Sequence, residues 1–188
     1  MKLDLVLDEG QLPWRPTADW IARARTMLDA VAPGPASARA TVQFVLTDDE
    51  TLREHNRSYR DRDVPTDVLS FSYLVDHEEH GSAILSGEQE VLDFLDEPVP
   101  DDEDPLIGQI LVSLDTVLGR GAVHASDIDG EVAFMLAHGC LHVIGFDHHD
   151  DPTAAVMEAA EKELMQRGGF AVTPRDQAPD AGPEGGAR

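Results

Sequence analysis

One domain built from both strands and helices is the fold this sequence predicts, on three observations. Its 188 residues suit a domain of ordinary size, and 41% of them are hydrophobic, enough to bury a core. Apolar residues recur at every second position in some short stretches and at every third or fourth in longer ones, the periods of strands and helices. Proline, glycine and aspartate mark the boundaries between them as starts, stops and turns.

Leu3, Leu5 and Leu7 alternate with Asp4, Val6 and Asp8, as in a half-buried strand. Pro16 and Thr17 open a helix running to about Ala32, with Trp20, Ile21, Ala24, Met27, Leu28 and Val31 on one side and Pro33-Gly34-Pro35 closing it. A second strand is expected over Ala40 to Leu46. Thr47-Asp48-Asp49-Glu50 has the capping-box pattern, in which threonine and glutamate satisfy each other's open backbone donors, so a helix should run from there to about Tyr59. Pro65 forces a turn, and Asp67 to Tyr73 resumes a strand pattern.

Between His77 and Pro105 the periodicity fails. Glu88 to Asp104 holds nine acids and no base, with Pro98 and Pro100 interrupting, the composition of a solvated loop or disordered insert. Ile107 to Ser113 is apolar enough for an inner strand, followed by a short helix from Asp115 to about Arg120 and a longer one from near Asp129 to Ile144. Asp151 caps a last helix with Pro152 at its first position; it is apolar at Val156, Met157, Ala160 and Leu164 and stopped by Gly168-Gly169. The expected organisation is one domain over residues 1–170, with an acidic insert over about 77–106, and a flexible tail over 171–188.

The formal net charge of −23 argues against broad nucleic-acid binding, because polyanions repel. The cations are local, however: four of the 14 basic residues lie between Arg53 and Arg62, and none lies between Asp63 and Gly119. No apolar run reaches the length of a membrane span, and Met1-Lys2-Leu3-Asp4 lacks the regions of a signal peptide. The single cysteine, Cys140, can form no internal disulfide and reads as a small core residue. A cytoplasmic protein without a membrane partner is expected.

The chemistry concentrates in His138-Gly139-Cys140-Leu141-His142-Val143-Ile144-Gly145-Phe146-Asp147-His148. At i and i+4, His138 and His142 project from one helix face. Gly145 can end the helix in a left-handed conformation and return the chain, bringing His148 toward them. Three imidazoles are the ligand set of a catalytic zinc, which keeps a fourth position open. The spacing is shared with metzincin proteases, but those carry glutamate after the first histidine as general base, where this chain has Gly139. Glycine accepts no proton, so the machinery for peptide hydrolysis is incomplete.

Arg53, Arg57 and Arg60 form a second candidate site at i, i+4 and i+7 on the capped helix, where each can grip a phosphate with paired donors. For Arg53, Arg57 and Arg62 the simpler reading is a solvated face balanced by acids. Arg60 differs by standing at the helix end, just before Asp63 to Phe71.

Asn56-Arg57-Ser58-Tyr59-Arg60, then Pro65-Thr66-Asp67-Val68-Leu69-Ser70-Phe71, Gly108-Gln109-Ile110 and the histidine motif, together and in this order, resemble the YbeY family of bacterial rRNA-maturation endoribonucleases. The resemblance covers about residues 40 to 168 apart from the acidic insert. It implies an α+β fold, a small mixed four-stranded sheet packed with about five helices, including a zincin-like metal helix. It also implies one zinc per chain on His138, His142 and His148, cleavage of single-stranded RNA, and work on the small-subunit rRNA 3′ end and in ribosome quality control. Ribosomal small subunits or assembly factors are the implied partners. Arg60 matches the family's functional arginine, and Arg57 is a candidate substrate contact.

Asp147 reads equally as support for a ligand imidazole or as a loop cap; His149 could serve as an acid or base, but the simpler reading is an exposed neighbour of a ligand. Three departures stand out: Ser72 where the family often has proline, expected to affect only the strand's exit; Gln109 where it usually has aspartate; and the acidic insert. Two further readings stay open at this level, a metalloprotease and a non-catalytic zinc-containing ribosome-assembly factor.

Overall fold

The computed structural model describes residues 1–8, 12–31, 40–74, 105–124, 127–146, 148 and 151–171. Strands β1 (Lys2–Leu7), β2 (Thr41–Thr47), β3 (Val68–Ser72) and β4 (Leu106–Ser113) form one sheet in the order β1-β2-β4-β3. β1, β2 and β4 run parallel and β3 pairs antiparallel with β4, so the sheet is mixed and β3 is an edge. Among the described residues five helices accompany it: α1 (Ala18–Val31), α2 (Asp49–Arg60), α3 (Leu114–His124), α4 (Ile128–Val143) and α5 (Asp151–Arg167). This is the α+β arrangement expected. The acidic segment up to residue 104 and the tail from 172 lie outside the described residues.

Alternation along the strands divides the sheet into two faces. Val42, Phe44 and Leu46 of β2 and Ile110 and Val112 of β4 are fully buried in the main core, with Trp20, Met27 and Leu28 of α1, Leu136 of α4 and Met157 of α5. The other face carries a smaller cluster in which Leu52 of α2 meets Leu69 and Leu111. With each fully buried large apolar side chain contributing about 1.5–3 kcal/mol, the first face dominates stability, and α4 lies within it.

Two details differ from the sequence expectation. α2 is capped by Asp48, whose carboxylate accepts from the Thr51 N–H at 2.8 Å, a bond that holds its carboxyl below the usual carboxylate range. Thr47 is instead the buried last residue of β2, its hydroxyl donating to Asp8 at 2.8 Å, so no hydroxyl is left for a cap. α3 runs on to His124 rather than stopping near Arg120.

Both ends of α4 are tied down. Trp14 and Trp20 donate their indole N–H groups to the side chain and backbone of Asp129, at 2.8 and 3.0 Å. In its later turns, glycines let helix and sheet approach closely. A Cβ on Gly139 would stand 2.5 Å from Ile110 Cγ2, and one on Gly108 2.5 Å from Val143 Cγ1.

Gly139→Ala sets two effects against each other. Alanine gains about 1 kcal/mol of helix propensity over glycine, whereas overpacking costs typically about 1–3 kcal/mol. Ile110 is fully buried and β-branched, and therefore slow to yield. Urea unfolding should show a net destabilisation of about 1–2 kcal/mol; a stabilised variant would show that the contact relaxes freely.

Candidate metal centre

The last turn of α4 builds the site. His138 and His142 share a face, with ring centroids 4.5 Å apart. The helix then closes in a left-handed glycine turn: Gly145 has φ 94°, its N–H donates to the His142 carbonyl at 3.0 Å, and the Phe146 N–H donates to the Leu141 carbonyl at 2.9 Å. Phe146 is buried, anchoring the returning chain. His148 thereby arrives with its ring 5.3 Å from that of His142 and 5.9 Å from that of His138. One ring nitrogen from each histidine lies within 4.8 Å of the others, a cluster able to hold a metal ion. Burial falls from His138, which is buried, through His142 to His148, which is exposed, so the cluster opens to solvent on one side.

The remaining ring nitrogens fix its chemistry. His142 Nδ1 lies 2.9 Å from the Phe146 carbonyl, which can only accept, so that nitrogen carries the proton. His138 Nδ1 lies 2.7 Å from the Glu161 carboxylate and donates to it in the same way. Both Nε2 atoms are then lone pairs, and they face each other at 3.1 Å. Two lone pairs so close repel unless a cation lies between them, and tetrahedral zinc with bonds of about 2.0–2.1 Å sets its ligand nitrogens about 3.3 Å apart. The donor set fits a divalent metal.

Glu161 was missed by the sequence reading, although a signal was present. On α5 it follows Met157 by four residues and precedes Leu164 by three, an acid within the stripe that packs on the core, and it is buried with them. A carboxylate behind a ligand imidazole fixes its orientation and raises its basicity. Glu161→Gln keeps a neutral acceptor and should weaken metal affinity about 10-fold, and Glu161→Ala nearer 100-fold, both read by competition with a chromogenic chelator. Unchanged affinity in both would make the contact merely structural.

Residues 11–169 match the family described as Endoribonuclease YbeY. The chain belongs to the YbeY family. The Endoribonuclease YbeY of Geobacillus thermodenitrificans is 36% identical over 141 residues, covering 75% of this chain and 80% of the relative. That of Sphingopyxis alaskensis is 32% identical over 172 residues, 88% of this chain and 94% of the relative. In fold, the chain is similar to the solution structure of a Thermotoga maritima protein, with a TM-score of 0.51 at 19% identity over 88% of each chain.

Within this YbeY-family chain the other candidates fall as follows. Arg53, Arg57 and Arg60 are exposed along α2. Arg53 is clamped by Asp63 through two bonds of 2.7 and 3.0 Å, as expected of a face balanced by acids. Arg57 and Arg60 have no hydrogen bond or ion pair among the described residues, and none links Arg60 to the histidines. Asp147 and His149 lie outside the described residues. Cys140 is buried between the ligand turns, and burial pushes its thiol pKa up, as suits a core residue.

Two departures from the YbeY pattern acquire a physical meaning. The Ser72 hydroxyl donates to the Val143 carbonyl at 2.7 Å and fastens the last turn of α4 to β3, so its effect reaches beyond the strand's exit. Gln109 alternates with Gly108 and Ile110, both packed against α4, and so points to the opposite face. There its amide donates to Gln43 at 2.6 Å, and Gln43 donates to Asp4 at 2.9 Å, a polar ladder across three strands.

Proposed function

We propose that this protein is a zinc-dependent endoribonuclease that cleaves single-stranded RNA, with one zinc per chain on His138, His142 and His148. The observation carrying this reading is the pair of Nε2 atoms facing each other at 3.1 Å with both Nδ1 hydrogens committed, in a YbeY-family chain. The relatives' shared name supports RNA as the substrate. Maturation of the small-subunit rRNA 3′ end, quality control on ribosomal subunits or with assembly factors, and a cytoplasmic location complete the proposal. Among the described residues no helix is long and apolar enough to cross a membrane.

A divalent ion in this site supplies Lewis acidity and a nucleophile at neutral pH. The chain's own residues do the rest. Glu161 and the Phe146 carbonyl hold His138 and His142 in the tautomer that presents Nε2. Arg60 grips the reacting phosphate and neutralises charge that grows on its oxygens. Its address supports that role. Tyr59, beside it, packs on Phe71 of edge strand β3, while the next residue, Ser72, holds the end of α4. The end of α2 and the end of the histidine helix therefore meet consecutive residues at the rim of the sheet.

The metzincin-like alternative is weakened, since Gly139 packs on Ile110 with no room for a catalytic carboxylate. The test offers purified protein a single-stranded RNA and an unstructured protein together, with zinc and after chelation. Zinc-dependent cleavage of the RNA alone is expected. Proteolysis, or RNA cleavage indifferent to chelation, would overturn the proposal.

A further inference from the structure

Tyr59 is 68% exposed, more than Val64 or Tyr73, which is unusual for an aromatic ring that is also held in place. His55, one helical turn earlier, lies nearly parallel to it, at 6.2 Å between centroids and 19° between planes. Phe71 of β3 meets it edge-on at 4.9 Å and 63°. A ring braced on two sides keeps a wet face while having little freedom left to lose on binding. Its surroundings are cationic in an otherwise acidic chain. From Arg53 to Asp63 there are four arginines against Glu54, Asp61 and Asp63; Asp63 is spent on Arg53, while Arg57 and Arg60, which flank Tyr59, have no salt bridge among the described residues.

We propose that the exposed face of Tyr59 is a stacking platform for one base of single-stranded RNA, with Arg57 on a neighbouring phosphate and Arg60 on the reacting one. This deepens the endoribonuclease reading and rests on it. A braced aromatic between unpaired arginines is the combination that binds single strands irrespective of sequence, the ring taking any base and the cations the backbone. It also explains how a chain of net charge −23 engages a polyanion, through one small cationic patch rather than a basic surface.

The test uses the zinc-loaded protein in single-turnover cleavage of a single-stranded oligoribonucleotide, reading the half-saturating protein concentration. Tyr59→Ala should raise it about tenfold, whereas Tyr59→Phe, which keeps the ring, should stay within about twofold of wild type. Oligomers with one abasic residue at successive positions supply the specific signature. At one position, removing the base should weaken wild type and leave Tyr59→Ala unaffected, because the lost contact is the same one. Arg57→Ala should weaken binding at every position in a salt-dependent way. Unchanged half-saturation in Tyr59→Ala, equal losses in alanine and phenylalanine, or abasic penalties of the same size in both proteins would overturn the platform. Wild type that cleaves no RNA would instead remove the endoribonuclease reading, and the platform with it.

Discussion

His148→Ala is expected to abolish stoichiometric metal binding and zinc-dependent RNA cleavage while leaving the fold intact. His148 is the exposed member of the cluster and the one carried by the loop after α4. Removing it costs the core nothing, and exposed substitutions usually stay within about 0.5 kcal/mol. Metal affinity should fall by well over 100-fold, more than the loss of a supporting carboxylate. The same change appears in stability: wild type with zinc at about 100 times its Kd gains about 2.7 kcal/mol over the metal-free protein, and the variant should gain almost none. His138→Ala is a poorer probe, since it strips the buried Glu161 of its partner and destabilises the protein for reasons unrelated to metal. Calorimetric scans of both proteins with and without zinc make the comparison, and a variant still stabilised by one equivalent would remove His148 from the ligand set.

Arg60→Ala should lower the single-turnover rate at saturating RNA by about 10²–10³, with zinc content and melting temperature near wild type. A donor aimed at the reacting phosphate stabilises charge present only in the transition state, so its loss appears in the rate rather than in binding. Arg57→Ala should mainly weaken binding, most at low salt. Arg53→Ala should do less to RNA, because Asp63 already takes the Nε and Nη2 edge of that guanidinium and offsets its charge. Arg60→Lys keeps the charge but loses the planar pair of donors, so partial recovery is expected. Equal, small losses in the three alanine variants would take Arg60 out of the catalytic assignment.

Arg53 shows where sequence was sufficient, since Asp63 makes of it the acid-balanced face expected. Short-period information was legible: alternating leucines gave β1, the apolar stripe around Trp20 gave α1, and the i, i+4 histidines with Gly145 gave the cluster. Features set by a distant partner were not. Thr47 fits a capping box by local pattern, and only Asp8, on another strand, takes its hydroxyl away. Ser72 reads as a missing proline until Val143 is beside it. Gln109 looks like a lost carboxylate, yet strand alternation turns its side chain away from α4. Glu161 was half-legible, since an acid in an apolar stripe must find a buried partner, but nothing local says that the partner is His138.

Whether one metal ion on these histidines makes the protein an RNA-cleaving enzyme is decided by titrating zinc into the metal-stripped protein while recording single-turnover cleavage of single-stranded RNA. No cleavage without metal, a linear rise, and a plateau at one equivalent per chain are expected. Full cleavage by the stripped protein, or a plateau reached equally by His148→Ala, would contradict it.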